Sequence, residues 1–391
     1  MKAVTGMDPQ GLREKKEEFL RVLTAWFMAE HRNLPWRDLS APNPYHVWIS
    51  EIMLQQTRVT AVIDYFLRFT AEIPDIPALA TVPDDRLMKL WEGLGYYSRV
   101  RNMKRCAQVL MNEYGGKMPR DPVTLAKLPG IGPYTAGAIA SIAFGVPKAA
   151  VDGNVLRVFS RLLADRSDIS KDSTKKAYTE ILDELLPYAK NAGHINQAIM
   201  DLGATICIPG GEARCSLCPV EGFCKARKEG ITEELPVKQR AQARRQEHRV
   251  ILILTQDGKV LVEKRPESGL LAGLYEYPGA VITPKQMEDL ERGISGKRAI
   301  KAYESLFGEL RMTAKKARFD LRSKHIFSHI EWEMIGLYVE TEDTYDPEAL
   351  AEKNIYFADA GELRDRFALP GAFSAYTNEF LNRRGDIDGS H

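Results

Sequence analysis

The chain has 391 residues, of which 44% are hydrophobic, and a formal net charge of +1 at pH 7. This length favours two or three domains, and the balanced charge does not by itself indicate a nucleic-acid-binding protein. No apolar run approaches the roughly 20 residues needed to cross a bilayer. Because no signal peptide is evident either, we expect a cytoplasmic protein.

The region up to about residue 228 has the pattern of an all-helical domain. Apolar residues fit one helix face at 19–27 and recur at helical spacing from Ile49 to Phe66. Proline and glycine mark the joints between these runs, for example at Pro74 and Pro83.

A glycine hairpin, Pro129-Gly130-Ile131-Gly132, separates two helix-like runs. Gly130 and Gly132 let the backbone approach a phosphate closely, and the N-terminus of the following helix adds a favourable dipole. On glycine spacing alone, an ordinary turn between two helices would be preferred. Asp152 follows the hairpin and precedes another helical run, where it is suited both to capping that helix and to chemistry.

Four of the five cysteines fall within 18 residues, separated by gaps of seven, two and five: Cys207, Cys215, Cys218 and Cys224. In a chain without a secretion signal, this clustering favours metal binding over disulfides. Four thiolates suit either zinc or a [4Fe–4S] cluster. Cys106 stands apart and is expected to be a buried free thiol.

After about residue 248 the pattern becomes that of an α+β domain. Arg249–Leu254 predicts a strand, and Asp257-Gly258 predicts a hairpin turn into the next strand. Residues 330–334 alternate between apolar and acidic, as in a half-buried strand, and segments 284–294 and 347–353 have helical patterns.

The stretch 238–249 carries five Lys or Arg against one Glu. Such a run is either a solvated linker or a basic strap across phosphates, whose attraction would weaken with salt. The sequence favours neither.

Three strings, LPWR at 34–37, WISEIMLQQT at 48–57 and GLGYYSR at 93–99, accompany the hairpin and the cysteines. Together they resemble the helix-hairpin-helix base-excision DNA glycosylases, and specifically the MutY-type adenine family. The resemblance implies a multidomain fold: an all-α glycosylase with a [4Fe–4S] cluster loop, followed by an α+β Nudix-like domain.

The family organisation predicts these boundaries: a glycosylase region at 1–228, with a six-helix core around the hairpin at 128–135 and an iron–sulfur subdomain formed by the N-terminal helix and about 150–228; a basic linker at 229–248; the Nudix-like domain at 249–385; and a tail at 386–391.

The resemblance implies hydrolysis of the N-glycosidic bond of adenine opposite 8-oxoguanine or G in duplex DNA, by a monomer associated with the nucleoid. Strand-cutting relatives carry a lysine 18 positions before the essential aspartate, where this chain has Tyr134. A tyrosine cannot form the Schiff base that such a lysine forms. The chain is therefore expected to leave an abasic site without cutting the strand.

Helical spacing alone would make Glu51 a solvated glutamate, but the resemblance makes it the general acid that protonates adenine N7. Asp152 would stabilise the sugar cation, with Tyr134 and Asn154 positioning it. The remaining implied residues are an adenine pocket of Trp36, Arg37, Leu54 and Gln197, DNA contacts from Gln56, Tyr96, Gly130 and Gly132, and the four cysteines as cluster ligands.

The string LLAGLYEYPG at 270–279 resembles the Nudix-like domain of the same family. No magnesium-binding Nudix box follows Gly279, so we expect no pyrophosphatase activity. The resemblance assigns Phe327, Ser328 and His329 to recognition of 8-oxoguanine.

Three alternatives are weaker. A strand-cutting glycosylase of the endonuclease III type is opposed by Tyr134 and by the second domain. A non-catalytic iron–sulfur DNA-binding protein is opposed by the presence of both Glu51 and Asp152. A nucleotide hydrolase is opposed by the missing Nudix box.

Overall fold

A computed structural model describes residues 10–210, 213–239, 243–291, 296–343 and 345–388. The chain divides into two compact units, and each is made of two stretches of sequence. The helical unit comprises Met1–Val82 and Ser98–Ala241, and the α+β unit comprises Pro83–Tyr97 and Gln242–His391.

The helices, in chain order, are α1 (Gln10–Glu14), α2 (Lys16–Glu30), α3 (Pro44–Met53), α4 (Val59–Glu72), α5 (Ile76–Thr81), α6 (Asp84–Leu90), α7 (Ser98–Tyr114), α8 (Pro122–Leu125), α9 (Pro133–Ala138), α10 (Gly153–Leu162), α11 (Asp172–Leu185), α12 (Ala192–Thr205), α13 (Lys225–Glu229), α14 (Pro284–Glu291), α15 (Gly296–Phe307), α16 (Pro347–Glu352), α17 (Ala360–Asp365) and α18 (Ser374–Asp388). The strands are β1 (Arg245–Gln256), β2 (Lys259–Lys264), β3 (Tyr275–Glu276), β4 (Gly279–Ile282), β5 (Ala314–Ile326), β6 (Ile330–Thr341) and β7 (Ile355–Ala358).

In the helical unit, one core joins α2, α10, α11 and α12 through buried side chains such as Phe27, Phe159 and Ile195. The predicted hairpin connects α8 to α9, and α9 continues into a π-helical turn at Ile139–Ala143. A Cβ on Gly137 of α9 would lie 2.1 Å from the Ala149 carbonyl oxygen. Only glycine therefore allows α9 to pack against the segment that leads to Asp152.

In the α+β unit, the strand order is β3-β2-β1-β6-β5, with β4 paired to β1 and β7 paired to β2. Strands β1 and β6 are parallel, and the other pairs are antiparallel. Both faces of β1 are covered, because Ile251 and Ile253 face a core shared with α17 and α18, whereas Leu252 and Leu254 face one shared with α14 and α15. A strand segment buried on both faces is apolar throughout, as the run 250–254 of β1 is.

The predicted elements of this unit are confirmed where the structure describes them. Asp257 and Gly258, with φ of 44° and 70°, form the turn between β1 and β2, as the Asp-Gly signal predicted. Residues 330–334 begin β6, and the segments 284–294 and 347–353 contain α14 and α16.

The start of β1 at Arg245 falls inside the segment predicted as a linker. Residues 240–242 of that linker, and 389–391 of the predicted tail, lie outside the described residues. Over the described part of the chain, we find no helix long and apolar enough to cross a membrane.

Candidate active site

One cavity of about 640 Å³ lies within the helical unit, where the end of α3 meets α9, the start of α10 and α12. It is lined by both groups of residues that the sequence predicted for catalysis and for the adenine pocket: Glu51, Tyr134, Asp152, Asn154, Trp36, Arg37, Leu54 and Gln197. Gln56 also lines it. Residues distant in the sequence thus line one partly open cavity that is large enough for a flipped base.

Glu51 lies in the last turns of α3 and is only 7% exposed. Burial is the main cause that raises its pKa, to about 7, and the charge of Asp152 acts in the same direction. The hydroxyl of Tyr134 donates a hydrogen bond to Glu51 Oε2 and, with Arg37, opposes that rise. Glu51 therefore exists partly as the neutral acid near neutral pH.

Asp152 is the N-cap of α10, as its sequence context predicted. Its Oδ1 accepts a hydrogen bond of 2.8 Å from the Val155 backbone N–H, and its Oδ2 accepts one of 2.7 Å from Asn154 Nδ2. Burial raises the pKa of Asp152, while these hydrogen bonds and the charge of Arg157 lower it in part. Every one of these donors favours the carboxylate form.

Arg157 and Gly203 support Asn154 from behind. Arg157 Nη2 donates to Asn154 Oδ1 at 2.9 Å and to the Gly203 carbonyl at 2.7 Å. A Cβ on Gly203 would lie 2.6 Å from the Cβ of Asn154. Glycine at this position lets α12 approach the start of α10 closely enough for these bonds to form.

Tyr134 differs from the sequence expectation in its partner. The sequence predicted that it orients Asp152, whereas its observed hydrogen bond is to Glu51. Burial, together with the charges of Glu51 and Asp152, raises its pKa well above the ordinary value. The phenol therefore keeps its proton and remains a donor.

Sequence reasoning missed Asp201, which lies one helical turn after Gln197 on α12. Its carboxylate accepts bonds from Arg37 Nη1 at 2.6 Å and from Arg32 Nε at 2.8 Å. Burial disfavours its charge, but the two guanidinium groups lower the pKa of Asp201 below the ordinary value. Asp201 therefore fixes Arg37 in the cavity wall, and its i,i+4 spacing from Gln197 was the available signal.

Arg99 is a second residue whose position the sequence did not reveal. Its Nη1 donates to the carbonyl oxygens of Ile52 at 2.7 Å, Met53 at 3.2 Å and Gln55 at 2.7 Å. These groups lie at the C-terminal end of α3, where carbonyls lack helical partners and a cation is favourable. Arg99 thus holds the segment that carries Glu51 and Gln56.

The predicted DNA-contacting residues of the hairpin adopt the required turn. Gly130 has a φ of +75°, and a Cβ there would lie 2.6 Å from the Cβ of Asn102. Gly132 is the N-cap of α9, and a Cβ at this position would meet no atom within 4 Å. The space beside the Gly132 Cα is therefore open, which leaves room for a phosphate at this turn.

The other predicted DNA contacts lie in the α+β unit and do not line the cavity. Tyr96 is 47% exposed and has a φ of +48°. Phe327, Ser328 and His329 form the turn between β5 and β6. The Phe327 ring packs on Trp332 with ring centroids 4.8 Å apart, which anchors this exposed turn.

All four clustered cysteines are free thiols. Burial raises the pKa of Cys218 to about 12, and the other three thiols contribute in the same direction, so the four lie close enough to influence one another. Arg161 Nη1 lies 3.2 Å from Cys207 Sγ. Within the described ranges, no group of three or more His, Cys, Asp or Glu side chains has the arrangement of a metal-ion site.

The structure tests the prediction for Cys106 but not the effect of the extra residue between Cys207 and Cys215. Cys106 is fully buried in α7 and free, as predicted. The extra residue between Cys207 and Cys215 falls in a loop whose residues 211–212 lie outside the described part of the chain.

Comparison with known proteins shows the family to which the chain belongs. Residues 49–184 match the family described as HhH-GPD superfamily base excision DNA repair protein, and residues 249–379 match the NUDIX domain family. The adenine DNA glycosylase of Homo sapiens is 35% identical over 377 residues, covering 82% of this chain and 67% of the relative. That of Schizosaccharomyces pombe is 32% identical, covering 80% of each chain. The chain belongs to the adenine DNA glycosylase family.

This membership confirms the predicted family, and the two family matches confirm the predicted fold class of a helical glycosylase domain followed by a Nudix-like domain. The chain is also similar to two solved structures. A thermostable thymine-DNA glycosylase is 28% identical, with a TM-score of 0.48, and covers 56% of this chain and 99% of its own. Endonuclease III in a non-covalent DNA complex is 26% identical, with a TM-score of 0.47, and covers 57% and 99%.

Proposed function

We propose that this protein is a monofunctional glycosylase of base excision repair, which hydrolyses the N-glycosidic bond of adenine opposite 8-oxoguanine or G in duplex DNA. The observation that carries the proposal is a pair of carboxyl groups, Glu51 and Asp152, in one cavity but in different environments. Different surroundings allow one carboxyl group to hold a proton while the other remains an anion in the same site.

Glu51 acts first, as the general acid. Adenine leaves poorly as an anion and well once N7 is protonated, and a buried acid with a pKa of about 7 can supply that proton near neutral pH. Tyr134 holds one carboxyl oxygen of Glu51, which leaves the other to carry the proton toward the base.

Asp152 acts second, on the sugar. As the adenine departs, the sugar develops oxocarbenium character, and a carboxylate beside it stabilises that charge. The bonds from Val155 N–H and Asn154 hold the Asp152 carboxylate in place before the charge develops. Water then adds to the sugar and leaves an abasic site.

The cavity also supports the absence of strand cutting. Lysine is the residue that forms a Schiff base with the opened sugar. Among the described residues that line the cavity there is no lysine, and Tyr134 stands where strand-cutting relatives carry it. This observation opposes the alternative of a bifunctional, endonuclease III-type enzyme, because such an enzyme needs a lysine nucleophile.

For the base opposite adenine, the proposed contact is the exposed turn of Phe327, Ser328 and His329. The Ser328 hydroxyl both donates and accepts hydrogen bonds, so it suits the altered N7 and O8 edge of 8-oxoguanine. The domains at 1–228 and 249–385 would then divide the work between base removal and recognition, in a monomer bound to the nucleoid DNA.

We propose that Cys207, Cys215, Cys218 and Cys224 hold a [4Fe–4S] cluster. The donor set of four free thiols near one another fits it, and thiols around a cluster lie farther apart than around a single ion, because the cluster occupies the space between them. The cluster supplies structural order here, and no step of base removal requires it.

A duplex glycosylase assay tests the function. Duplexes carrying A opposite 8-oxoguanine, G or T are incubated with the protein, and products are compared with and without alkali. We expect strand breaks only after alkali and a rate order of 8-oxoguanine, then G, then T. Breaks without alkali, or equal rates on all three duplexes, contradict the proposal.

A further inference from the structure

The segment Pro83–Tyr97 belongs to the α+β unit, although it lies between helices of the other unit in the sequence. It contains α6 and the Gly-rich loop at 93–97, which carries Tyr96. The family match at 49–184 includes it. Tyr96 is a predicted DNA contact with an exposed ring, which suits it to insertion between stacked bases. It belongs to the same unit as the turn around Ser328.

Lys89 makes the central attachment, and its side chain is only 9% exposed. Its Nζ donates to Glu92 Oε2 at 2.5 Å, to the Leu363 carbonyl at 2.9 Å and to the Phe367 carbonyl at 3.1 Å. These three bonds use all three ammonium donors. Leu363 lies in the last turn of α17, where a cation is favourable.

Glu92 completes the attachment from the other side. Its Oε1 accepts a hydrogen bond of 2.7 Å from the backbone N–H of Leu369, while its Oε2 is bound to Lys89. A further anchor lies at the start of α6, where Asp85 accepts bonds from Lys264 at 2.8 Å and from the Tyr275 hydroxyl at 3.2 Å.

The loop that follows Glu92 has a defined conformation. Trp91 is fully buried, and its Nε1 donates to the Gly95 carbonyl at 3.0 Å. Gly93, Gly95 and Tyr96 all have positive φ, of 94°, 68° and 48°. A tyrosine rarely adopts this backbone region, so neighbouring contacts must hold it there.

We infer that Lys89 and Glu92 are positioning residues for Tyr96. They fix the Tyr96 loop, residues 93–97, to the unit that carries Ser328, so that recognition of the opposite base and insertion of Tyr96 into the stack occur as movements of one body. This inference rests on the proposed function, since it assigns the attachment a role in preference for 8-oxoguanine over G.

The test compares single-turnover rates on A opposite 8-oxoguanine and A opposite G for the wild type, Glu92→Gln, Lys89→Met and Tyr96→Ala. Glutamine can keep an acceptor for Leu369, but it turns a neutral NH2 group toward Lys89 and so removes both the charge and the acceptor that Lys89 uses. A duplex with 2-aminopurine in place of the target adenine reports base extrusion by fluorescence. The exposed Lys285→Met in the same unit is the matched control.

We expect Lys89→Met and Glu92→Gln to lower the preference for 8-oxoguanine over G by about tenfold and to reduce the fluorescence change. We expect neither substitution to add to Tyr96→Ala, because all three act through one loop. A merely structural role would lower thermal stability, leave the preference unchanged and add to Tyr96→Ala.

Two outcomes distinguish a failure of the proposed function from a failure of the inference about Lys89 and Glu92. If the wild type itself does not prefer 8-oxoguanine over G, the proposed function fails. If the wild type shows that preference and folded Glu92→Gln retains it within about twofold, the inference about Lys89 and Glu92 is overturned while the function stands.

Discussion

Replacing Glu51 by glutamine should abolish base removal and, at alkaline pH, make the protein more stable. The folded pKa of Glu51 is about 7, against an ordinary value of 4.5. Because the pKa of Glu51 is higher in the folded state, the contribution of the protonated side chain to folding stability is fully present below about pH 4.5. This contribution is lost as the pH rises through about 7. The difference corresponds to about 3 kcal/mol, since each pH unit is worth ~1.4 kcal/mol.

Glutamine does not ionise, so the variant escapes this loss. Its side-chain oxygen can still accept the hydrogen bond from Tyr134, which keeps the surroundings unchanged. We therefore expect the variant to gain about 3 kcal/mol relative to wild type between about pH 4.5 and about pH 8. The measurement is guanidinium unfolding followed by the helical circular dichroism signal, with Glu180→Gln, a side chain 60% exposed, as the control.

The same titration governs activity. The single-turnover rate of the wild type should fall as pH rises above about 7, because the neutral acid disappears. If the stability difference between wild type and Glu51→Gln is the same at both pH values, Glu51 does not titrate as a buried acid. The assignment of Glu51 as proton donor then fails with it.

Three further predictions concern the groups around Glu51 and the cysteine cluster. Asp152→Asn should slow base removal by about 10³-fold in single-turnover assays while the protein stays folded, because asparagine can still cap α10 by accepting from the Val155 N–H; loss of the folded state would contradict this. Asp201→Asn should destabilise the fold by about 3 kcal/mol in urea unfolding, since it leaves the buried Arg37 charge without its counter-ion; an unchanged midpoint would refute it. Cys218→Ser should lose the bound iron in elemental analysis, because it removes one of the four proposed ligands, and should retain base removal per bound complex; full iron content would contradict the proposed cluster.

Local signals allowed much of the fold to be predicted. The Asp-Gly turn between β1 and β2 depends on positive φ at two adjacent residues, which those residue types favour. Asp152 as an N-cap is equally local, because the capping bond reaches only to Val155. Such interactions join residues that are close in the sequence, so a short stretch of sequence contains all the residues that determine them.

Interactions between distant segments could not be predicted in the same way. Glu51 lies off the apolar stripe of α3, yet it is buried in a cavity wall that it shares with Tyr134 and Asp152. The same holds for Lys89, whose partners lie more than 270 positions away at Leu363 and Phe367. A lysine and a glutamate three residues apart have the pattern of an exposed helix pair, and nothing local distinguishes a buried one.

The proposed chemistry depends on the difference between two buried carboxyl groups rather than on either value alone. Burial raises the pKa of both Glu51 and Asp152. Glu51 accepts one hydrogen bond, from Tyr134, whereas Asp152 accepts bonds from the backbone N–H of Val155 and from Asn154, which Arg157 holds in place. Each additional donor favours the carboxylate. The cap of α10 is therefore a catalytic feature as well as a structural one, because it keeps the anion on Asp152 and leaves the proton to Glu51.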